Sequence, residues 1–158
     1  MKRVVSTLIA VTAVSLLVPV SANAVIQINR GIAGARLGNS QAQVRAALGN
    51  PARVVNGTND FGPFTQFRYR GRITVTFQGR IRGVTGVTTR GLGDRTIRGV
   101  GVRSPLASVL SRVPGVACET FGGLRLCQVG ESIPGRRVTT FFVRNGRVTR
   151  VTVGIVID

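Results

Sequence analysis

The sequence predicts an α+β fold: two tandem repeats, each with short helices packed on one face of an antiparallel sheet. Three observations point there. Leu37-Gly38-Asn39-Ser40 leads into Val44, Leu48 and Gly49, and Val102-Arg103-Ser104-Pro105 leads into Val109, Val113 and Gly115. Gly79-Arg80-Ile81 with Val84-Thr85 is answered by Gly146-Arg147-Val148 with Val151-Thr152. Between these marks both halves carry alternating apolar and polar residues, the pattern of a half-buried strand. The offset is about 66 residues, the length of one copied supersecondary unit.

Residues 1–24 read as a secretory signal peptide. Met1-Lys2-Arg3 is basic, Val4 to Val18 is apolar without charge, Pro19 breaks the run, and Ala22-Asn23-Ala24 suits signal peptidase. The run is shorter than the ~20 residues that cross a bilayer. The expected location is therefore secreted or extracytoplasmic, after cleavage near Ala24.

Residues 25–90 form the expected first repeat. Val25 to Arg30 reads as an edge strand or a loose N-terminus. Ser40 to Leu48 reads as a helix, with Val44, Ala47 and Leu48 on one face. Ser40 and Gln43 make a capping box, and Gly49-Asn50-Pro51 stops the helix. Phe64 to Arg70 and Arg72 to Phe77 alternate as strands, and Gln78-Gly79 turns the chain into Arg80-Ile81-Arg82. Residues 91–99 belong to a connector rich in Gly, Thr and Arg.

Residues 100–158 form the expected second repeat. Ser104 reads as N-cap and Pro105 as the first helical residue, where a missing N–H costs nothing. Leu106, Val109, Leu110 and Val113 give the helix its apolar face, and Pro114-Gly115 ends it. Leu124 to Val129, Val138 to Val143 and Arg147 to Val156 read as strands, with Asn145-Gly146 a hairpin turn. Ile81 and Val84 are three apart, as are Val148 and Val151, so both copies suggest a β-bulge. Cys118 and Cys127, an even count in an exported chain, read as one disulfide.

Charge is the second strong feature. Residues 25–158 carry twenty arginines and five acids, a net +15, with no Lys, His or Trp. A GC-rich genome would load arginine, and such a field attracts polyanions whatever its origin. Arginine also grips carboxylate and phosphate with two prongs, which lysine does not.

The catalytic inventory is thin, and the sequence predicts no enzyme. No His serves as a base and no Lys as a Schiff-base amine. Asp60, Asp94, Glu119, Glu131 and Asp158 are scattered, and both thiols are expected in the disulfide. No cofactor and no metal site are expected. Gly91-Leu92-Gly93 and Gly99-Val100-Gly101 lack the third glycine of a nucleotide loop and read as turns. Asn56-Gly57-Thr58 fits a glycosylation triplet and equally a plain loop.

The candidate binding residues are Arg68, Tyr69, Arg70, Arg72, Arg80, Arg82, Phe141 and Phe142. Arg68, Arg70 and Arg72 fall on one side of consecutive strand positions, and Arg80 and Arg82 share a side of the next strand. Such a face is either kept soluble by its charge or meets a partner. Phe141 and Phe142 place one aromatic on each face, and an exposed aromatic beside arginine is common in protein-binding hot spots. The expected partner is a protein with an acidic surface. An anionic polymer or a membrane surface is the rival. Aromatics among the arginines are too sparse for base stacking, so specific nucleic-acid recognition is not expected.

Leu37-Gly38-Asn39-Ser40, Gln43-Val44-Arg45, Leu48-Gly49-Asn50-Pro51, Val113-Pro114-Gly115-Val116-Ala117-Cys118, Cys127 and Gly146-Arg147-Val148-Thr149 together resemble the repeats of the secreted β-lactamase inhibitory proteins. The unit is also similar to the SmpA/OmlA-type small lipoproteins of outer-membrane assembly. The resemblance implies tandem helix-and-sheet units and a concave sheet that grips a protein. The first copy departs by lacking a cysteine pair, the sheet is Arg-rich, and no lipidated Cys is present. Fold and a binding role carry over, and no inhibitory residue does.

Overall fold

The computed structural model describes residues 25–158 apart from Arg80. The signal peptide expected at residues 1–24, and Arg80, lie outside the described residues.

Strands dominate. In chain order they are β1 (Val25–Gln27), β2 (Gly31–Ile32), β3 (Ala35–Arg36), helix α1 (Gln41–Leu48), β4 (Arg53–Asn59), β5 (Gly62–Arg68), β6 (Ile73–Gln78), β7 (Gly86–Thr89), β8 (Arg95–Thr96), helix α2 (Leu106–Arg112), β9 (Ala117–Phe121), β10 (Leu124–Val129), β11 (Arg137–Arg144) and β12 (Arg147–Ile155). An eight-stranded antiparallel sheet runs β4-β5-β6-β7-β12-β11-β10-β9, and a four-stranded sheet runs β3-β2-β1-β8.

This corrects the α+β tandem-repeat expectation. The molecule is mostly β, with one continuous large sheet and a second small one. The helices have 8 and 7 residues, too short to be stable without packing. Each has a single buried side chain, Val44 or Val109. Such helices cannot cover a sheet. Ile26, Ile32 and Ala35 of the small sheet close the core against Phe67, Val75, Val87, Phe141, Val151 and Val153 of the large one. The apolar spacing marked the helices, but the short strands that complete the cover have no period to read.

Besides the two-residue strands β2, β3 and β8, three longer strands escaped the sequence reading. β4 contains Asn56-Gly57, which signals a turn, yet it pairs with β5 along its whole length. β7 occupies the sheet centre between β6 and β12, although its Gly and Thr content resembles a linker. β9 is an exposed edge beside β10. Conversely, Ile81 and Arg82 belong to no strand, because β6 ends at Gln78. There Gly38 N–H donates to Val84 O and Val84 N–H to Asn39 O, both at 2.9 Å, tying this segment to the start of α1. Gly83 (φ 86°) abuts the backbone of Gly38, leaving no room for a Cβ.

Local signals with a hydrogen-bond mechanism fared better. Ser40 N–H donates to Gln43 Oε1 at 2.8 Å and Gln43 N–H to Ser40 Oγ at 3.2 Å, the capping box of α1. Asn145 (φ 50°) and Gly146 (φ 71°) both take positive φ, as a type I′ hairpin demands. The N-cap of α2 is instead Pro105. Ser104 Oγ is engaged elsewhere, accepting from Gly101 N–H at 3.0 Å and Arg95 Nη1 at 2.9 Å.

Cys118 and Cys127 lie directly opposite on β9 and β10 and are joined by a disulfide. Closing so short a loop stabilises by roughly 2–3 kcal/mol. Replacing both by Ser should lower the urea-unfolding free energy by about that much, mainly by restoring freedom to the unfolded chain. Alkylation without reductant should leave the intact mass unchanged, whereas two added labels would contradict the pairing.

Candidate functional site

Strand alternation gives the large sheet two unlike faces. One carries the buried apolar set and meets the helices and the small sheet. The other has nothing packed over it among the described residues. Its central row runs across six strands: Arg68, Thr74, Thr88, Thr152, Thr140 and Gln128 face one another in register. The Thr88 and Thr152 hydroxyls are 2.9 Å apart, and Thr140 Oγ1 donates to Gln128 Oε1 at 3.2 Å. β-branched threonine favours strands while offering hydroxyls at the surface.

Arginines border this row. Arg68, Arg72, Arg90, Thr74, Thr76 and Thr88 line a shallow depression of about 490 Å³. A neighbouring depression of about 420 Å³ is lined by Arg90, Arg144, Arg150, Thr149, Phe142 and Leu124. Arg90 borders both, so they form one continuous tract.

The second depression is built by a bulge. Phe142 pairs with Arg150 and Val143 with Val148, leaving Thr149 as the extra residue. Thr149 Oγ1 donates to Phe142 O at 3.0 Å and holds the irregularity in place. Arg150 lies over the Phe142 ring, with Cζ 3.7 Å from its centroid, a cation–π arrangement. Burial, and then the nearby positive charge of Arg90, lower the Arg150 pKa from its ordinary value. Arg90 N–H donates to Arg72 O at 3.1 Å, which fixes the residue at the end of β7.

Carboxylates do not offset these charges. The one ion pair among the described residues joins exposed Glu131 and Arg136 at 4.0 Å, away from both depressions. Asp94 is buried and accepts from Thr89 Oγ1. No group of three or more His, Cys, Asp or Glu suited to a metal occurs among the described residues.

The residues singled out from sequence scatter. Arg68 and Arg72 meet at the first depression, although Arg72 sits in the β5–β6 turn at φ 62° rather than in a strand. Arg70 is exposed at the tip of that turn. Tyr69 also lines the first depression, while its Oη donates to Gly49 O at 3.3 Å and its ring packs on the core. Partial burial raises its pKa, and the Arg45 charge acts in the opposite direction. Arg82 lines a different hollow with Ser40 and Gln41, beside the start of α1. Phe141 is wholly buried and is a core residue, not a contact residue. Phe142 alone of the pair reaches the open face, beneath Arg150. Arg90, Arg144 and Arg150 were missed. Arg150 was legible in principle, since it alternates with Thr152 along the last strand once the bulge sets the phase.

No family model matches the chain, and no curated protein matches it. Solved structures do. An extracellular protein containing an SCP domain from Bacillus anthracis is similar over 96% of this chain, with TM-score 0.51 and 12% identity. The chain spans 50% of that protein's length. A DUF4309 family protein from Bacillus subtilis matches over 73% of this chain and 78% of its own, with TM-score 0.43 and 19% identity. A cysteine-rich secretory protein from Staphylococcus aureus matches over 75% of this chain and 44% of its own, with TM-score 0.46 and 8% identity. At these identities the likeness concerns the fold alone. No helix among the described residues is long and apolar enough to cross a membrane, which says nothing of strands.

Proposed function

We propose that this chain is a secreted, non-enzymatic binding module whose open sheet face engages an acidic protein. One observation carries the reading: a tract of arginines around a hydroxyl row, with no carboxylate lining it. Like charges held together without counter-charge cost stability, and an acidic partner relieves that cost. The threonine hydroxyls add neutral donors and acceptors on a rigid, low-entropy sheet.

Export is supported by the basic and apolar opening residues, by the Cys118–Cys127 disulfide, and by the extracellular description of the Bacillus anthracis protein. Protein recognition is favoured over a polymer by the aromatic-backed pocket at Phe142. A polymer tract needs only distributed charge, whereas stacked arginine and aromatic side chains suit a specific contact.

A salt series separates these. The intact protein is tested against anionic polymers, anionic vesicles and the secreted proteins of its source. Retention of one acidic protein at moderate salt, with weak polymer binding, is the expected result. Binding to several polymers that collapses steeply with salt, as counterion release dictates, would contradict it.

A further inference from the structure

The bulged end of the β11–β12 hairpin brings three features together on the open face. First, like charges meet. Thr89 pairs with Val151, so Arg90 and Arg150 continue the register as the next cross-strand neighbours. Two cations directly opposite each other destabilise a sheet unless something negative comes between them. Second, Arg150 is held by stacking rather than by hydrogen bonds. Its Nε is shut from water with no acceptor among the described residues, while the guanidinium rests on Phe142. A guanidinium pinned this way loses little freedom when it grips a carboxylate. Third, the wall beside the charges is apolar, formed by the Phe142 ring and Leu124, with exposed Phe121 opposite Leu124 on β9.

We propose that Arg90, Arg144 and Arg150, with Phe142 and Leu124 as their apolar wall, recognise an acidic peptide segment through a side-chain carboxylate set beside an apolar side chain. The proposal rests on the open face being the binding face and names where on it the partner is read. A bare anion meets the charge but leaves the apolar wall wet. A purely apolar segment leaves two facing cations unrelieved. A carboxylate flanked by an apolar group satisfies both, and a paired arginine–carboxylate bond is strong and directional. The depression is shallow and open, which fits a segment laid across a sheet rather than an enclosed small molecule.

The test uses the intact protein, isotope-labelled for NMR, and three probes: a peptide alternating Asp and Phe, its Asn-for-Asp counterpart, and inorganic sulfate. The acidic peptide should shift amides of Phe142, Thr149 and Arg90 first. The Asn counterpart should bind roughly tenfold more weakly or worse, as loss of a charged hydrogen bond predicts. Arg150→Gln should weaken the acidic peptide by a similar factor, and Arg112→Gln on α2 should not. Arg90→Gln leaves the Phe142 stack intact and guards against a folding artefact in the first variant. Peptide shifts centred on Arg68 and Arg72 instead would overturn this assignment while leaving the open-face reading standing. Sulfate and peptide shifts spread over arginines on both sides of the molecule would overturn both.

Discussion

Phe141→Ala is expected to cost about 3–5 kcal/mol, the range for removing a buried aromatic from a closed core. The ring is fully buried on β11, opposite Cys127 on one side and Val151 on the other. It belongs to the cluster that joins the large sheet to the small one. Truncation leaves a cavity that the paired strands cannot close, because their spacing is fixed by the ladder. Set against a typical total stability of about 5–15 kcal/mol, the variant should be marginal. Phe142→Ala, one residue along but on the open face, should cost clearly less. Urea unfolding checks both, with the midpoint moving and the slope constant. A loss below about 1 kcal/mol for Phe141→Ala would mean that the two sheets do not share one core.

The contrast between these neighbours also shows what the sequence could reveal. That Phe141 and Phe142 occupy opposite faces follows from strand alternation alone. Which of them meets solvent does not, because that depends on where the small sheet docks. The capping box at Ser40 and Gln43 and the Asn145-Gly146 turn were legible, since each signal is a local hydrogen-bond or φ requirement complete within a few residues. The dominance of strand was not. β2, β3 and β8 have two residues each, too short for any periodicity; β2 and β3 form a tight local meander with β1, and β8 exists through pairing with the distant β1. β7 looked like connector because Gly86 and its threonines lack an apolar run, yet Val87 is fully buried and the threonines serve both faces.

The arginine tract was half legible for the same reason. Arg68 and Arg72 are close in sequence and could be grouped by inspection. Arg90 and Arg150 are brought together only by the β7–β12 pairing, across some sixty residues. The bulge at Thr149 then decides the phase, so that Arg150 rather than Thr149 lies over Phe142. No one-dimensional pattern contains that juxtaposition. Arg82, grouped with the others on the assumption of a strand, falls beside α1 because the chain after Gln78 leaves the sheet.

Under the proposed reading, position and not total charge makes this face a binding surface. Arg68, Arg72 and Arg90 line one depression, whereas Arg36, Arg98 and Arg112 are exposed on β3, the β8–α2 loop and α2. Changing either trio to Gln removes the same three charges from the same protein. Each charged hydrogen bond in a partner contact contributes about 1.5–3 kcal/mol, so three partly engaged arginines amount to a hundredfold or more, roughly. Diffuse attraction responds only to net charge and treats the two variants alike. The measurement is therefore the affinity of both triple variants for the acidic protein that the salt series is expected to retain, at moderate salt, with unfolding curves taken in parallel. Loss of about two orders of magnitude for Arg68, Arg72 and Arg90, with a change of less than about threefold for the other trio, is the predicted result. Equal losses in both, at unchanged stability, would mean that the attraction is diffuse and that this face is no specific binding surface.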